Sequence, residues 1–193
     1  MTKEERLAAN KQGFEGDTFI PERIKELIAK HGIKYIIETG TYHGFTTRRF
    51  AEMVDHVTTV ESNRSFYEIA RETLKDCTNV NMVKGNSGNC LTLYTNDQPT
   101  LFYLDAHWYK ECPLLDELTL IAIAKIRPVI CIHDWKVPAR DFGYDKFPDG
   151  TPFSLPAIRK HLDKIYGEHG YFVSYNKKAN GCYRGVIYIE PKS

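Results

Sequence analysis

The sequence predicts an α/β fold in which helices cover both faces of a mostly parallel sheet. Short β-branched and aromatic runs alternate with segments whose apolar residues follow helical spacing. Acidic residues end three of the predicted strands, at Glu61, Asp105 and Asp134. This alternation is typical of layered α/β domains, in which ligands bind beyond the carboxyl ends of the strands.

The most informative stretch runs from residue 34 to residue 44 and continues into a helix. Residues 35–37 have the composition of a buried strand, which stops at Glu38-Thr-Gly40. Helical spacing begins after Gly44. A strand, a turn with two glycines and a helix N-terminus predict a pocket for a nucleotide-like cofactor, because glycine lets the backbone approach a ligand and free amides face it.

The rest of the chain continues the same rhythm. A helix is expected from Phe19, with Pro21 in its first turn and His31-Gly32 as its end. The other expected elements are strands at 56–61, 80–84, 100–105 and 129–134, helices at 63–74, 113–126 and 154–166, and a terminal hairpin of strands 171–175 and 183–190. Residues 1–16 are expected to form a flexible N-terminal arm, and residues 17–193 a single Rossmann-like domain, a three-layer α/β/α sandwich.

Residues 135–153 form a long irregular segment rich in aromatic side chains and proline. Loops of this length in a compact domain are usually functional or disordered. Two interpretations stay open at this point: a lid on the substrate side, or a surface loop that packs its own aromatics.

Composition excludes several classes of protein. The 193 residues are 42% hydrophobic and 26% charged, with a net charge of +1 and no block of like charges. Neither nucleic acid nor a membrane surface is therefore expected as a partner. Five scattered cysteines without a Cys-x-x-Cys pair argue against a disulfide framework and a structural zinc site. The N-terminus lacks a signal-peptide pattern, so a cytoplasmic location is expected.

Glu61 and the glycine spacing narrow the cofactor. A carboxylate at the end of the second strand accepts hydrogen bonds from ribose hydroxyls in nucleoside-binding folds. The glycines of the turn, Gly40 and Gly44, lack the Gly-x-Gly-x-x-Gly pattern that a nicotinamide dinucleotide needs. A ligand without phosphate fits this turn better.

With these residues, the chain resembles the class I methyltransferases that use S-adenosyl-L-methionine, from about Tyr35 to Asp134. The terminal hairpin also matches that fold, which implies a mostly parallel seven-stranded sheet with a C-terminal antiparallel hairpin. The segment 38–44 is similar to the family's first motif, Glu61 to its ribose-binding acid, and residues 85–88 to its adenine-side turn. The resemblance implies these cofactor-binding residues: Glu38, Gly40, Thr41, Tyr42, Gly44, Glu61, Ser62, Asn86, Ser87, Asp105 and Ala106.

Two acids at neighbouring strand ends point to a divalent cation. Asp105 and Asp134 would lie close together on one rim, and such carboxylates repel unless a proton or a cation intervenes. The segment 104–108 also resembles the Asp motif of catechol-type, metal-dependent O-methyltransferases and of a cephalosporin hydroxylase-like group. The fifth-strand Asp of the catechol-type enzymes is followed by an Asn ligand, and Trp135 stands there in this chain. The expected metal ligands are therefore Asp105, His133 and Asp134, for Mg²⁺ or another divalent cation.

The general base is left open among His107, Lys110 and Lys136. The leading hypothesis is methyl transfer from S-adenosyl-L-methionine to a hydroxyl of a small molecule, such as a phenol, a sugar or a hydroxylated peptide. An NAD(P)-dependent oxidoreductase and a non-catalytic S-adenosyl-methionine-binding module are the alternatives. Methylation of nucleic acid is the weakest option, because Asp-Ala-His replaces the Asn/Asp-Pro-Pro-aromatic pattern. The sequence leaves a homo-oligomer open.

Overall fold

The computed structural model describes residues 2–90, 98–107 and 112–192. The strands are β1 (Tyr35–Thr39), β2 (His56–Glu61), β3 (Val80–Lys84), β4 (Thr100–Leu104), β5 (Val129–Ile132), β6 (Tyr171–Tyr175) and β7 (Ile187–Pro191). The helices are α1 (Lys3–Asn10), α2 (Phe19–His31), α3 (Phe45–Ala51), α4 (Arg64–Thr73), α5 (Ser87–Cys90), α6 (Leu114–Ile123) and α7 (Leu155–Tyr166), with a 3-10 turn at Phe14–Gly16. Within these ranges, none of the helices has both the length and the apolar composition required to cross a membrane.

The seven strands form one mixed sheet in the order β3-β2-β1-β4-β5-β7-β6. Strands β1 to β5 are parallel, and β7 runs antiparallel to both β5 and β6. This arrangement confirms the predicted fold class. From β1 the sheet is built outwards in one direction through β2 and β3 and in the other through β4 and β5. Ligands of open parallel sheets bind at the point where the strand order reverses in this way, here between β1 and β4.

Two apolar cores cover the two faces of the sheet. On one face, α6 and α7 pack against the sheet through residues such as Leu118, Leu162 and Phe102. On the other, α2 and α3 pack through Ile24 and Phe50. Every residue of β4 and β5 is buried, as expected for central strands covered by helices on both sides.

Several element boundaries differ from the sequence-based expectation. The strands β4 and β5 end one and two residues before their acids, at Leu104 and Ile132. Strand β7 begins at Ile187 rather than at residue 183, because Gly185 is in close contact with the Trp135 backbone instead of a strand partner. Pattern reasoning did not predict α1 or α5.

The segment 135–153 runs along the surface and sends several of its apolar side chains into the core. Trp135 and Phe153 are fully buried, and both lie in the cluster that joins α6 and α7 to the sheet. Phe147 packs against Phe153 with ring centres 4.7 Å apart. Trp135, Phe147 and Phe153 therefore fill the space beside β5, whereas Phe142 packs on Tyr183 and Tyr144 is exposed.

Candidate functional site

The turn after β1 lies against the residue that follows β4. Gly40 has φ +82°, and a β-carbon there would overlap the carbonyl oxygen of Asp105. Its amide donates to the carbonyl of Val60 at 3.0 Å. Gly44, with φ +80°, precedes the first residue of α3. Glycine at position 40 is thus required by the packing of two strand ends, and this packing places the expected cofactor turn beside the expected metal edge.

Glu38 is fully enclosed beneath this turn. Its Oε2 accepts hydrogen bonds from the hydroxyls of Thr47 in α3 and of Thr59 in β2, the latter at 2.7 Å. Burial raises the pKa of Glu38 to about 8, although the two hydroxyls oppose the shift. Glu38 therefore connects α3 to the sheet, and its recorded contacts are internal. Its expected role in cofactor binding stays a prediction.

Glu61 is held by the backbone at the end of β2. Its Oε2 accepts from the amide of Tyr42 and its Oε1 from the amide of Asn63, both at 2.8 Å. Burial raises the pKa of Glu61, and these amides act in the opposite direction. Because each carboxylate oxygen has a second lone pair, the fixed side chain can still accept ribose hydroxyls. Tyr42, which shares the expected ligand turn, stacks on His43 with ring centres 3.8 Å apart.

A second polar group lies where α5 meets α6. Asn86 Oδ1 accepts from the amide of Gly88 at 2.9 Å, and Ser87 is buried. The carboxyl group of Glu117 is also buried, and its Oε1 has no hydrogen-bond partner among the described residues. Burial raises the pKa of Glu117, while the hydroxyls of Ser87 and Thr39 counteract this. The expected adenine-side turn therefore adjoins a buried acid that the sequence did not reveal.

The residues after β4 and β5 leave the sheet side by side. Leu104 pairs with Ile132 in parallel register, so the segments that follow meet at one edge. The amide of His133 donates to the carbonyl of Leu104 at 3.1 Å. Asp134 adopts φ +57°, which ends the extended geometry. Adjacent residues of a strand point to opposite faces of the sheet, but His133 and Asp134 follow the end of β5. Their side chains can therefore lie in the same cluster.

Four of the predicted site residues come together in this cluster. His133 Nδ1 lies 3.3 Å from Asp105 Oδ1 and 3.3 Å from Asp134 Oδ1. His107 Nε2 lies 3.3 Å from Asp134 Oδ2 and 3.7 Å from Asp105 Oδ1. The side chains of both histidines are almost completely buried. The sequence argument for a polar cluster at this edge agrees with these distances.

The charges in the cluster are strongly coupled. Burial alone would lower the pKa of His133, but Asp105 and Asp134 raise it well above its usual range. The pKa of His107 is raised in the same way against the effect of burial. Burial would raise the pKa of Asp134, but His133 and His107 hold it well below normal. The charged form of each histidine is thus stabilised by the neighbouring aspartates, and the charged form of Asp134 by the histidines.

Arg184 adds a permanent positive charge to the same cluster. Its Nε donates to Asp134 Oδ1, and its Nη2 donates to Asp145 Oδ1. The two carboxylates raise the pKa of the guanidinium further, against the effect of burial. Arg184 therefore pairs with one oxygen of Asp134 and leaves the other, Oδ2, facing His107.

The residues fit a divalent cation in two overlapping groups. Donor atoms of Asp105, His107 and Asp134 all lie within 4.8 Å of one another, and so do those of Glu15, His133 and Asp134. Imidazole nitrogens without hydrogen-bond partners occur in both groups among the described residues. Imidazole with carboxylate suits Mn²⁺, Fe²⁺ or Zn²⁺, and carboxylate also suits Mg²⁺. The expected set of Asp105, His133 and Asp134 is divided between the two groups, and its role stays a prediction.

The three candidate bases have different surroundings. His107 lies beside both aspartates. Lys136 is exposed, and its Nζ lies 5.5 Å from the centre of the Tyr144 ring. Lys110 lies outside the described residues. Of His107 and Lys136, His107 is the one that lies beside the carboxylates of the cluster.

Sequence reasoning missed four acids and bases of this region: Glu15, Glu117, Asp145 and Arg184. One signal was available for Glu117, because it shares the helical stripe of Leu114, Leu118 and Ile121, where a charged residue is out of pattern. Glu15 lies between Gly13 and Gly16, which indicates a turn but does not predict which part of the fold the Glu15 side chain contacts. The positions of Asp145 and Arg184 depend on long loops, and no local pattern predicts their pairing.

Comparison with known proteins gives one family and a set of similar folds. The model of the ribosomal RNA adenine dimethylase family matches residues 8–98, just under half of the chain. No curated protein matches the chain. An O-methyltransferase from Bacillus cereus, solved with S-adenosyl-homocysteine, has 18% identity and a TM-score of 0.65 over 97% of this chain and 87% of its own.

Two further solved structures show the same relationship. TomG from Streptomyces achromogenes, an O-methyltransferase involved in tomaymycin synthesis and solved with S-adenosyl-methionine, has 16% identity and a TM-score of 0.63 over 90% of this chain and 79% of its own. An S-adenosyl-methionine-dependent methyltransferase from Aquifex aeolicus has 19% identity and a TM-score of 0.56 over 88% of both chains. These similarities confirm the predicted class I methyltransferase fold and its resemblance to O-methyltransferases.

Proposed function

We propose that this chain transfers a methyl group from S-adenosyl-L-methionine to a hydroxyl group of a small molecule, with assistance from a divalent cation. The observation that carries the proposal is the position of the Asp105, His107 and Asp134 cluster directly beside the Gly40 turn. The turn and Glu61 have the features of a nucleoside-binding edge. The cluster beside them has the features of a site that activates an oxygen.

The turn after β1 and Glu61 form what we call the cofactor edge, and each residue there has its own role in this proposal. Glu61, fixed by two backbone amides, accepts hydrogen bonds from the ribose hydroxyls. Thr41 and Tyr42 line the part of the turn beside the amino-acid end of the cofactor, while the amide of Tyr42 keeps its hydrogen bond to Glu61 Oε2. Asn86 and Ser87, together with Ser62, flank the adenosine portion. Ala106 follows Asp105 along the same edge.

The cluster of Asp105, His107, His133 and Asp134, called the acceptor edge below, takes up the proton of the hydroxyl group. In O-methylation an oxygen–carbon bond forms as the sulfur–methyl bond breaks, and the hydroxyl proton passes to a base. We assign this role to His107, whose Nε2 lies 3.3 Å from Asp134 Oδ2. The neutral imidazole accepts the proton, and the neighbouring carboxylates of Asp105 and Asp134 stabilise the imidazolium that forms.

A cation would be held by the carboxylates of Asp105 and Asp134. When bound, it would lower the pKa of the acceptor hydroxyl and orient its oxygen. Alignment of oxygen and methyl group contributes to the rate through proximity. Carboxylate ligands suit both Mg²⁺ and Mn²⁺, so both ions are used in the tests.

The family match to ribosomal RNA adenine dimethylases does not make nucleic acid the preferred acceptor. The matched residues, 8–98, end before β4 and therefore exclude Asp105, His107, His133 and Asp134. They include the strand, turn and helix that would bind the cofactor. The near-neutral net charge also gives no sign of the basic surface that RNA binding uses.

Calorimetric titration with S-adenosyl-homocysteine tests the proposal first. We expect the unaltered protein to bind it and Glu61→Ala to bind at least tenfold more weakly, since hydrogen bonds to a charged group contribute about 1.5–3 kcal/mol. Glu68→Ala, an exposed acid of α4, is the matched control and should bind normally. Normal binding by Glu61→Ala would contradict the ribose assignment.

Two outcomes would favour the alternatives. Tight binding of NADH without binding of S-adenosyl-homocysteine would indicate an oxidoreductase. Binding of S-adenosyl-homocysteine without any effect of Mg²⁺ or Mn²⁺, and without methyl transfer to phenols, sugars or hydroxylated peptides, would indicate a binding module.

A further inference from the structure

The N-terminal arm crosses the carboxyl edge of the sheet beside the candidate site. Phe14 is buried between Phe50 and Tyr103, with ring centres 5.1 and 6.0 Å away. The amide of Phe14 donates to Thr46 Oγ1 in the first turn of α3 at 2.9 Å. One side of the arm is thus attached to the helix that follows the cofactor turn.

The other side of the arm is attached to the loop before β7. The amide of Cys182 donates to the carbonyl of Glu15 at 3.0 Å. The amide of Asn180 donates to Asp17 Oδ2 at 2.9 Å. Gly181 lies so close to the backbone of Glu15 that a β-carbon would overlap it. Contacts on both sides therefore fix the backbone of Glu15 above the cluster.

The carboxylate of Glu15 reaches the cluster with atoms that lack partners. Glu15 Oε2 and His133 Nε2 are buried, and neither has a hydrogen-bond partner among the described residues, whereas His133 Nδ1 lies 3.3 Å from Asp105 Oδ1 and from Asp134 Oδ1. An unpartnered buried polar group costs about 1–3 kcal/mol, and more when it is charged. The unpartnered atoms of Glu15 and His133 together indicate that a group absent from the polypeptide binds between them.

We propose that Glu15, His133 and Asp134 bind a divalent cation that fastens the N-terminal arm over the candidate active site. This inference rests on the proposed function, because it shares Asp134 with the proposed acceptor edge. Its donor atoms lie within 4.8 Å of one another, and His133 Nδ1 is 3.3 Å from Asp134 Oδ1. Two ligands that are each about 2.1 Å from one ion are roughly 3 to 3.5 Å apart.

The ligand set indicates the kind of cation. One imidazole with two carboxylates favours a first-row ion such as Mn²⁺ or Zn²⁺ over Mg²⁺, which prefers oxygen ligands and retains its water. Arg184 compensates one charge of Asp134, but it pairs with Asp145 as well. The carboxylate of Glu15 has no recorded ion pair with Arg184 among the described contacts, and burial raises its pKa, so its ionised form needs a positive charge nearby.

The competing explanation is that protonated histidines supply this positive charge without a metal. The two explanations differ in what Glu15 controls. A cation predicts that metal affinity and attachment of the arm change together. Protonated histidines predict that added metal affects neither.

The experiment titrates Mn²⁺ into the full-length protein and follows the signal of free Mn²⁺ by electron paramagnetic resonance. In parallel, trypsin cleavage after Arg6 and Lys11 measures exposure of the arm. We expect Mn²⁺ to bind and to slow cleavage at both positions. Glu15→Gln should bind Mn²⁺ at least tenfold more weakly and lose the protection. Glu4→Gln, an exposed acid on the same arm, should behave like the unaltered protein.

Each result has a defined meaning. Unchanged Mn²⁺ affinity and protection in Glu15→Gln, or no Mn²⁺ binding by the unaltered protein, would overturn the inference. Titration with S-adenosyl-homocysteine in the absence of metal separates this failure from that of the proposed function. A protein that binds S-adenosyl-homocysteine but shows no effect of Glu15 keeps the proposed cofactor, and a protein that does not bind it loses the proposed function.

Discussion

His107 Nε2 and Asp134 Oδ2 lie 3.3 Å apart, although the two residues follow different strands. The pairing arises because β4 and β5 are parallel neighbours whose last residues are in register. Asp134 in turn pairs with Arg184 through its other oxygen, which holds the carboxylate in one orientation. A histidine oriented by a fixed carboxylate is a recurring arrangement for a general base.

Replacement of His107 by alanine should reduce the rate of methyl transfer by about 10²- to 10⁴-fold, the usual contribution of a general base. Binding of S-adenosyl-homocysteine should change little, because His107 lies at the acceptor edge. Single-turnover kinetics and calorimetry measure the two quantities separately.

The matched control for this prediction is His169→Asn. His169 is exposed and has φ +62°, a conformation that asparagine also adopts readily. A His107→Ala variant with an unchanged transfer rate would show that another group takes the proton, and Lys110 and Lys136 would be tested next.

Gly40→Ala should strongly destabilise the fold. The new β-carbon would overlap the carbonyl oxygen of Asp105, and φ +82° is unfavourable for alanine. Gly150→Ala isolates the second effect, since Gly150 has φ +86° but no atom near the added carbon. We expect about 1 kcal/mol for Gly150→Ala and several-fold more for Gly40→Ala, measured by urea unfolding. Equal losses would mean that the backbone near Asp105 moves aside without cost.

Local patterns in the sequence predicted the sheet and the cofactor edge. Short runs of β-branched and aromatic residues predicted all seven strands, and Glu61 lies at the end of β2 as expected. The same reasoning brought Asp105 and Asp134 to one rim, because the carboxyl ends of neighbouring parallel strands must meet. These conclusions require only periodicity and connectivity.

Contacts that join distant parts of the chain could not be predicted in this way. The approach of Glu15 to His133 depends on how the arm packs on Phe50 and on the loop before β7. The left-handed conformation of Asp134 decides that His133 faces the same cluster, and nothing in its neighbours' sequence requires that conformation. Tertiary packing determines both features.

Glu38→Gln should change how stability depends on pH. Burial raises the pKa of Glu38 from 4.5 to about 8, so the folded protein binds a proton that the unfolded chain has lost. Glu38 therefore contributes stability below about pH 4.5 that is lost as the pH rises to about 8. The loss is on the order of 3 to 5 kcal/mol at 1.36 kcal/mol per pKa unit.

Urea unfolding between pH 5 and pH 8.5 measures this effect. Glutamine mimics the protonated acid and can still accept from Thr47 and Thr59, so the variant should lose less stability than the unaltered protein over this range. Glu22→Gln, an exposed acid of α2, should leave the pH profile unchanged. Parallel profiles for Glu38→Gln and the unaltered protein would show that Glu38 is ionised throughout.

Glu117→Gln should raise the free energy of unfolding at pH 8 by about 1–2 kcal/mol, because it removes a buried charge whose Oε1 is unpartnered among the described residues. Burial raises the pKa of Glu117, so its contribution also falls as the pH rises, and the gain should shrink at pH 5. Asp116→Asn, an exposed neighbour on α6, is the control and should have little effect at either pH.

Proteins retain destabilising groups such as the buried Glu117 carboxylate at functional sites. The same variant should therefore bind S-adenosyl-homocysteine more weakly while being more stable, and a loss of stability at pH 8 would instead assign Glu117 to the structural framework.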